Sequence, residues 1–297
     1  MGETAIDRPT AQITGGLQLV FARREHGATY LVRRRVPYPY SVMSPLRLDR
    51  EPAHMASVIL QSVSGGIFAD ERLTHSIEVL SGAARVMTPS ATVVHAMPKG
   101  SQAIQTTTLA AGPGALLEWL PQPLVLFPHS RLAQTIVVNA SPQATVLVSE
   151  GFLTHDHTGR DASFDWLDSQ IELRRHDGRL IARDHSRCCG HALSAHVPGI
   201  AGRFRAFGTV LVCAKLSDQR ITRLHEAMIT SAESISNQYV GATTLRGSAG
   251  LLLRIAASDG GSLVQAIMTV TRRVHCELVD SCLDSIHPRY FESCDAL

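Results

Sequence analysis

The sequence predicts a mainly β protein of stacked or layered sheets, a solenoid being one form of that stacking, with two helices in the C-terminal part. Three observations predict it. A strand–turn–strand unit recurs: Ser76–Leu80, Ser81-Gly82-Ala83 and Ala84–Met87, then Gln105–Leu109, Gly112-Pro113-Gly114 and Ala115–Leu117, then Thr135–Val138, Ser141-Pro142-Gln143 and Ala144–Val148. The small-residue turns fall about 30 residues apart, as in units whose faces are buried only by their neighbours. Beyond Lys215 the apolar pattern changes from strand-like to helical. The composition, 44% hydrophobic and 18% charged, suits a globular chain able to bury a core. An antiparallel meander with ordinary hairpin turns fits the same repeats, and both readings are β-rich.

Taken in order, Leu17–Phe21 and Thr29–Val32 are short β-prone runs around a turn at Gly27, a hairpin signal. Arg33-Arg34-Arg35 reads as a solvated edge that discourages strand pairing. Met55–Leu60 is a further apolar run, ended by Ser64-Gly65-Gly66. After the three repeats, Gly151–Gly202 is the least regular stretch, with strand-like pieces at Gln170–Leu173 and Arg179–Ala182. In Asp218–Ser236 the residues Ile221, Leu224, Met228, Ile229 and Ile235 approximate one helical face. Gly250–Ala256 reads as a strand. Ser262–Ile286 carries Leu263, Ile267, Val270, Val274 and Leu278 at helical spacing, with Ser262 as N-cap and Pro288 beyond the end. The expected organisation is a disordered segment 1–14, one domain over 15–287 and a tail 288–297.

Bulk properties narrow the function classes. A net charge of +2 and 5% aromatic residues leave neither the basic footprint nor the stacking platforms of a nucleic-acid binder. No run reaches the roughly 18 apolar residues of a membrane helix. Glu3, Asp7 and Arg8 interrupt the first twenty residues, so a cytoplasmic chain with reduced thiols is expected. The six cysteines form no C-x-x-C unit, against a structural zinc site.

Residues able to carry chemistry are few. Neither a G-x-S-x-G elbow nor a P-loop occurs. His155 and His157 in Thr154-His155-Asp156-His157 alternate, so on an extended segment both rings share a side. Imidazole suits nickel, zinc or copper; a polar loop is the other reading. Cys188-Cys189 reads as structural thiols. Asp70, Glu71, Glu118, Glu150, Glu172 and Asp184 each lie in or beside β-like apolar segments. Such carboxylates need partners or water, which fits either a wet passage that holds a divalent ion loosely or ordinary turn and edge positions. A metal-dependent hydrolase built on His155, His157 and nearby carboxylates is the enzymatic alternative.

Four segments in order carry a family resemblance. Gly65-Gly66-Ile67-Phe68-Ala69-Asp70-Glu71-Arg72-Leu73 resembles the Gly-Gly-Ile-x-x-Gly-Asp-x-Leu motif of the urease accessory proteins called UreD (UreH in some organisms). Met87-Thr88-Pro89-Ser90-Ala91-Thr92 resembles their Thr-Thr-Pro-x-Ala-Thr motif. Glu118-Trp119-Leu120-Pro121-Gln122, with Phe127 after it, resembles their Glu-Trp-Leu-Pro-Gln signature, and Glu150 takes the place of a strand-end glutamate. The likeness spans Gly15 to Ile286. Asp70 and Glu71 replace the motif's Gly-Asp, Pro123 stands where an acidic residue often follows, and the usual Cys-x-Gly-Arg stretch becomes Gly151–His157. The resemblance implies a non-catalytic scaffold that binds UreF, recruits UreG through it and docks on urease apoprotein. Nickel is then a transient passenger and no cofactor is permanently bound. The candidate nickel route is Asp70, Glu71, Glu118, Glu150, Glu172, Asp184, His155 and His157. Gly65, Gly66, Thr88, Pro89, Thr92, Trp119, Pro121 and Gln122 are the motif's structural residues. A scaffold through which no ion passes is the remaining alternative.

Overall fold

The N-terminal part supplies β1 (Thr14–Arg23), β2 (Thr29–Arg35), β3 (Tyr40–Val42) and β4 (Ala56–Ser62). Three turns of a coil follow, in a computed structural model that describes residues 14–25, 27–48 and 52–279. The first turn is β5 (Arg72–Val79), β6 (Ala83–Met87) and β7 (Thr92–Val94). The second is β8 (Ala103–Ala111), β9 (Leu116–Leu120) and β10 (Leu124–Leu126), and the third is β11 (Arg131–Ala140) and β12 (Thr145–Thr154). Then come β13 (Trp166–Arg175), β14 (Leu180–Cys189), α1 (Gly190–Ser194), β15 (Ala206–Cys213), α2 (Asp218–Glu233), β16 (Gln238–Thr244), β17 (Gly250–Ala257) and α3 (Gly260–Leu278).

Successive turns of the coil stack in parallel. In the first sheet, ordered β14-β13-β11-β8-β5-β1-β2, the strands from β1 to β13 pair in parallel, with antiparallel β2 and β14 at its edges. In the second, ordered β16-β17-β15-β12-β9-β6-β4-β3, the strands β4, β6, β9 and β12 are parallel and the flanks antiparallel. Parallel stacking of the repeats excludes the antiparallel meander in favour of a short solenoid. Its corners are tight: a Cβ on Gly112 would stand 2.5 Å from the Leu80 carbonyl oxygen of the previous turn. At the edge, Arg33, Arg34 and Arg35 of β2 are exposed, and Arg34 donates to the Val42 carbonyl at 2.8 Å.

Alternation along the strands builds the core. Leu19, Phe21, Ile77, Val79, Leu109, Ile136, Val138 and Ile171 face Val58, Val86, Leu117, Trp119, Val146 and Val148 of the other sheet. The outer face of the second sheet buries Leu147, Val210, Leu251, Leu253 and Ile255 under Leu224 and Met228 of α2 and Leu263, Val270 and Val274 of α3. The outer face of the first sheet has no helix over it among the described residues. It is polar instead, with Thr74, Thr106, Thr135, Gln170 and His185 in one register row.

The helices differ from expectation in three details. α3 begins at Gly260, and its N-cap is Asp259, not Ser262: the Asp259 carboxylate accepts the Ser262 N–H at 2.8 Å. α2 stops at Glu233 after starting from Ser217 as N-cap. A short helix, α1, adds to the two that periodicity predicts, and it is too brief to carry an apolar repeat. Residues 1–13 and 280–297 lie outside the described residues, and with them the expected end of the last helix, Pro288, the tail 288–297 and the expected segment 1–14 up to Thr14, which belongs to β1.

A polar stripe and its cavities between the sheets

Inward positions of the first sheet are apolar except along one band. On β5 the inward series is Leu73, His75, Ile77, Val79; on β11 it is Leu132, Gln134, Ile136, Val138; on β13 it is Leu167, Ser169, Ile171, Leu173. The parallel register aligns the exceptions. Gln105, Gln134, Ser169 and Ser186 form one row across β8, β11, β13 and β14, and His75 pairs with Thr107 in the adjacent row. This stripe separates the main intersheet core from a smaller cluster of Leu73, Leu132, Phe152, Phe164 and Leu167.

The second sheet opens opposite the stripe, and the sequence motifs make the opening. β6 ends before Thr88-Pro89, and β9 ends before Pro121-Gln122-Pro123; proline cannot donate to a ladder. The strands resume one level on, as β7 and β10, while β12 runs on past both breaks and pairs first with β9 and then with β10. Thr88 Oγ1 accepts the Gln122 N–H at 2.8 Å and ties the two breaks together. Glu150 is the β12 residue level with the gap. Its neighbours Val148 and Phe152 face inward, and so does Glu150.

Three cavities occupy this level. One of about 340 Å³ is lined by Gly65, Gly66, Thr88, Pro89 and Thr92. A narrow one of about 70 Å³ lies between the sheets, bounded by Tyr40, His75, Thr107, Trp119, Pro121, Gln122, Gln134 and Glu150. A vestibule of about 540 Å³ holds Glu150, Ser169, Asp184, Ser186, Thr209, Tyr239 and Arg254. The first two share Thr88 and Thr92, and the last two share Gln134, Glu150 and Gly151. The cavities therefore abut in series.

The groups along this series are satisfied in different ways. Glu150 Oε2 accepts from Gln134 Nε2 at 2.8 Å and from Ser169 Oγ at 2.7 Å. Burial pushes its carboxyl above the ordinary range; the Ser169 bond opposes this, the Asp184 charge adds to it, and Gln134 and Arg254 oppose it. Asp184 is ion-paired to Arg254. His75 bonds to Thr107 Oγ1 at 3.0 Å and Tyr40 Oη at 2.8 Å, and burial pushes it down to about 4, so the ring is neutral. The Tyr40 hydroxyl is raised, by burial first and then by the Glu71 charge.

The other expected site residues lie elsewhere. Glu118, on the same strand as inward Trp119, points the opposite way, under α3. There it is 0% exposed, with Arg85 Nε at 2.5 Å and His275 Nδ1 at 2.6 Å. Burial alone would raise its pKa; the His275 bond and the Arg85 charge outweigh burial and hold it below the usual carboxylate range. Glu172 faces the outside of the first sheet, clamped by Arg174 at 2.6 Å and Arg183 at 2.7 Å. Asp70 is exposed in a left-handed turn, φ 64°, and accepts from Ser101. Glu71 is buried just before β5 and is not among the residues lining the three cavities: Oε2 accepts the Phe68 N–H at 3.0 Å, while Oε1 has no partner. Burial raises its pKa, partly offset by the Phe68 bond and by His95. His155 and His157 are exposed and pack around Phe127, the His157 ring stacked at 4.2 Å. Asp156 between them is used within the loop, accepting from Thr158 and Ala162. Gly66 has room for no side chain, since a Cβ would stand 2.7 Å from His95 Nε2.

Sequence reasoning therefore finds Glu150, Asp184, Thr88, Thr92, Trp119, Pro121 and Gln122 on the cavities and misses Tyr40, His75, Gln134, Ser169 and Arg254. A polar residue breaking an otherwise apolar period-two series was the available signal for His75, Gln134 and Ser169. Arg254 sits in a run read as a plain strand.

Fold and site together define a class, a short β-solenoid protein with helices on one sheet and a polar-lined series of cavities between the two. Among the described residues, no group of three or more His, Cys, Asp or Glu is placed to hold a metal ion, and no helix is long and apolar enough to cross a membrane. The model of the UreD urease accessory protein family matches residues 14–285. Relatives include urease accessory protein UreD 1 of Methylorubrum extorquens, 37% identical over 89% of this chain and 88% of its own length. UreD 1 of Pseudomonas syringae pv. syringae is 32% identical over 86% of this chain and 90% of its own. The chain belongs to the UreD family of urease accessory proteins.

Proposed function

We propose that this chain is a non-catalytic accessory protein of urease maturation that binds UreF, engages UreG through UreF, docks on urease apoprotein in the cytoplasm and passes nickel toward the nascent active site. The observation that carries this reading is the register-aligned polar stripe facing the proline-made gap, with Glu150 between the narrow cavity and the vestibule. Oxygen ligands that are few and half-solvated can hold a divalent cargo ion loosely enough to release it.

A hydrolase centred on His155 and His157 has less support, because those rings stand on an exposed loop apart from the cavities. The pure scaffold is favoured by one observation, the 70 Å³ size of the middle cavity. Substitution separates conduit from scaffold. Glu150→Gln keeps an oxygen to accept from Gln134 and Ser169, so folding and partner binding persist. Nickel per urease active site, measured by metal analysis of urease purified from the complemented host, falls several-fold, because an amide attracts a divalent cation poorly. Glu71→Gln acts in the same direction. Full nickel loading in the double variant rejects the conduit and leaves the scaffold, whereas normal urease in a host lacking the gene rejects both.

A further inference from the structure

We propose that Arg254 is the gate of the vestibule: its guanidinium occupies the carboxylate field that would otherwise draw in a divalent cation. The inference rests on the reading of the cavities as a metal route.

The register places Arg254 there. Glu150, Thr209 and Arg254 form one row across β12, β15 and β17, and all three line the vestibule. On β17, Leu251, Leu253 and Ile255 pack under the helices, while Leu252 belongs to the intersheet core. Arg254 shares the side of Leu252 and so projects toward the first sheet. From that sheet Asp184 meets it, on the side of β14 that carries Ala182 and Ser186. The ion pair thus spans from one sheet to the other at the wide end of the cavity series.

The electrostatics follow from charge and exposure. Glu150 and Asp184 supply two carboxylates, and the Arg254 guanidinium, ion-paired to Asp184, offsets one of them. A dication approaching Glu150 meets that fixed positive charge, which repels it across several ångströms. The gate is nevertheless easy to move. The Arg254 side chain is 48% exposed and that of Asp184 22%, and ion pairs so open to water are weak. An arginine on a long stem, held by one partly buried carboxylate, can swing outward without disturbing the core, leaving both carboxylates to the cation. Glu150 itself does not move, since Gln134 and Ser169 hold it.

Calorimetric titration of nickel(II) chloride into the purified full-length chain tests the gate. R254Q binds nickel about tenfold more tightly than the wild type, and R254K, which keeps the charge, stays with the wild type. The gain disappears in R254Q/E150Q. Background binding by surface histidines is common to all variants and cancels in the comparison. Equal affinity in R254Q and wild type overturns the gate, as does a gain that survives E150Q. If R254Q does not fold, R254M, which keeps the apolar stem and removes the charge, reads the same device: nickel affinity rises as for R254Q, and unchanged affinity overturns the proposal. In the host, E150Q without effect on urease nickel removes the route while leaving this binding result standing. An unchanged R254Q titration removes the gate and leaves the route.

Discussion

At the level of single residues, the cost of polarity between two sheets can be read from His75. The ring is 6% exposed, its two nitrogens are both bonded, and burial pushes its pKa to about 4. Because the folded state resists the proton that the unfolded chain accepts near pH 6.5, stability is fully present above that pH and drains away as the pH falls toward 4. Between pH 7 and pH 5 this one group removes about 2 kcal/mol. Urea titrations at the two pH values check this: a His75→Gln variant shows a pH dependence smaller by that amount. Glu71 and Glu150, both raised by burial, act with the opposite sign, and they cancel in the comparison with the variant. Glu150 was legible because a glutamate follows the apolar run Ala144–Val148, although it does not end the strand as expected: β12 continues to Thr154 by pairing with β10. Arg254 was not, since an isolated charge in a β-run usually lies on a solvated face, and only the pairing of β17 with β15 reveals which face it occupies.

Among elements, the attachment of α3 depends on a buried cluster that sequence spacing cannot show. Glu118 on β9, Arg85 on β6 and His275 on α3 come from positions far apart in the chain. Removing the carboxylate leaves a cation buried beneath the helix, a loss of about 3–5 kcal/mol for pairs of this kind. Glu118→Ala therefore lowers the unfolding free energy by about that much, measured by urea denaturation, while Glu150→Gln changes it by under about 1 kcal/mol. Similar stability in the two variants would refute the assignment of Glu118 to the helix layer. The helices themselves were legible from their apolar spacing, Ile221, Leu224 and Met228 on one and Leu263, Ile267, Val270 and Val274 on the other. The caps were less so: Asp259 outranked Ser262 because its carboxylate reaches the Ser262 N–H from one turn before. The strand–turn–strand repeat gave the right period without the direction of pairing, because parallel and antiparallel partners leave the same alternation on one chain.

For the molecule as a whole, order should increase from the edges inward. β8 and β11 are paired on both sides within the first sheet and buried on their inner face, whereas β2, β14 and β16 each have one partner strand. Amide hydrogen exchange followed by mass spectrometry is expected to be slowest in 103–111 and 131–140 and fastest in 29–35 and 238–244. A uniform profile would contradict it. Burial also explains why the uncovered sheet need not be sticky: the row of Thr74, Thr106, Thr135, Gln170 and His185 presents polar groups where an apolar face would demand a partner.

The coil has a further consequence for how such a chain can change size. Each turn adds one strand to each sheet, a step of about 4.8 Å along the stacking direction, and the polar stripe runs along that direction. Lengthening the interior can therefore proceed only in whole steps, each requiring an entire repeat with its own tight corner and its own polar inward residue. Any shorter insertion would slip the register and turn inward side chains outward, so it must be absorbed at the corners. The distance from Thr88 to Arg254 is in this sense counted, not adjustable, and two interacting surfaces at its ends would be held apart by an integer.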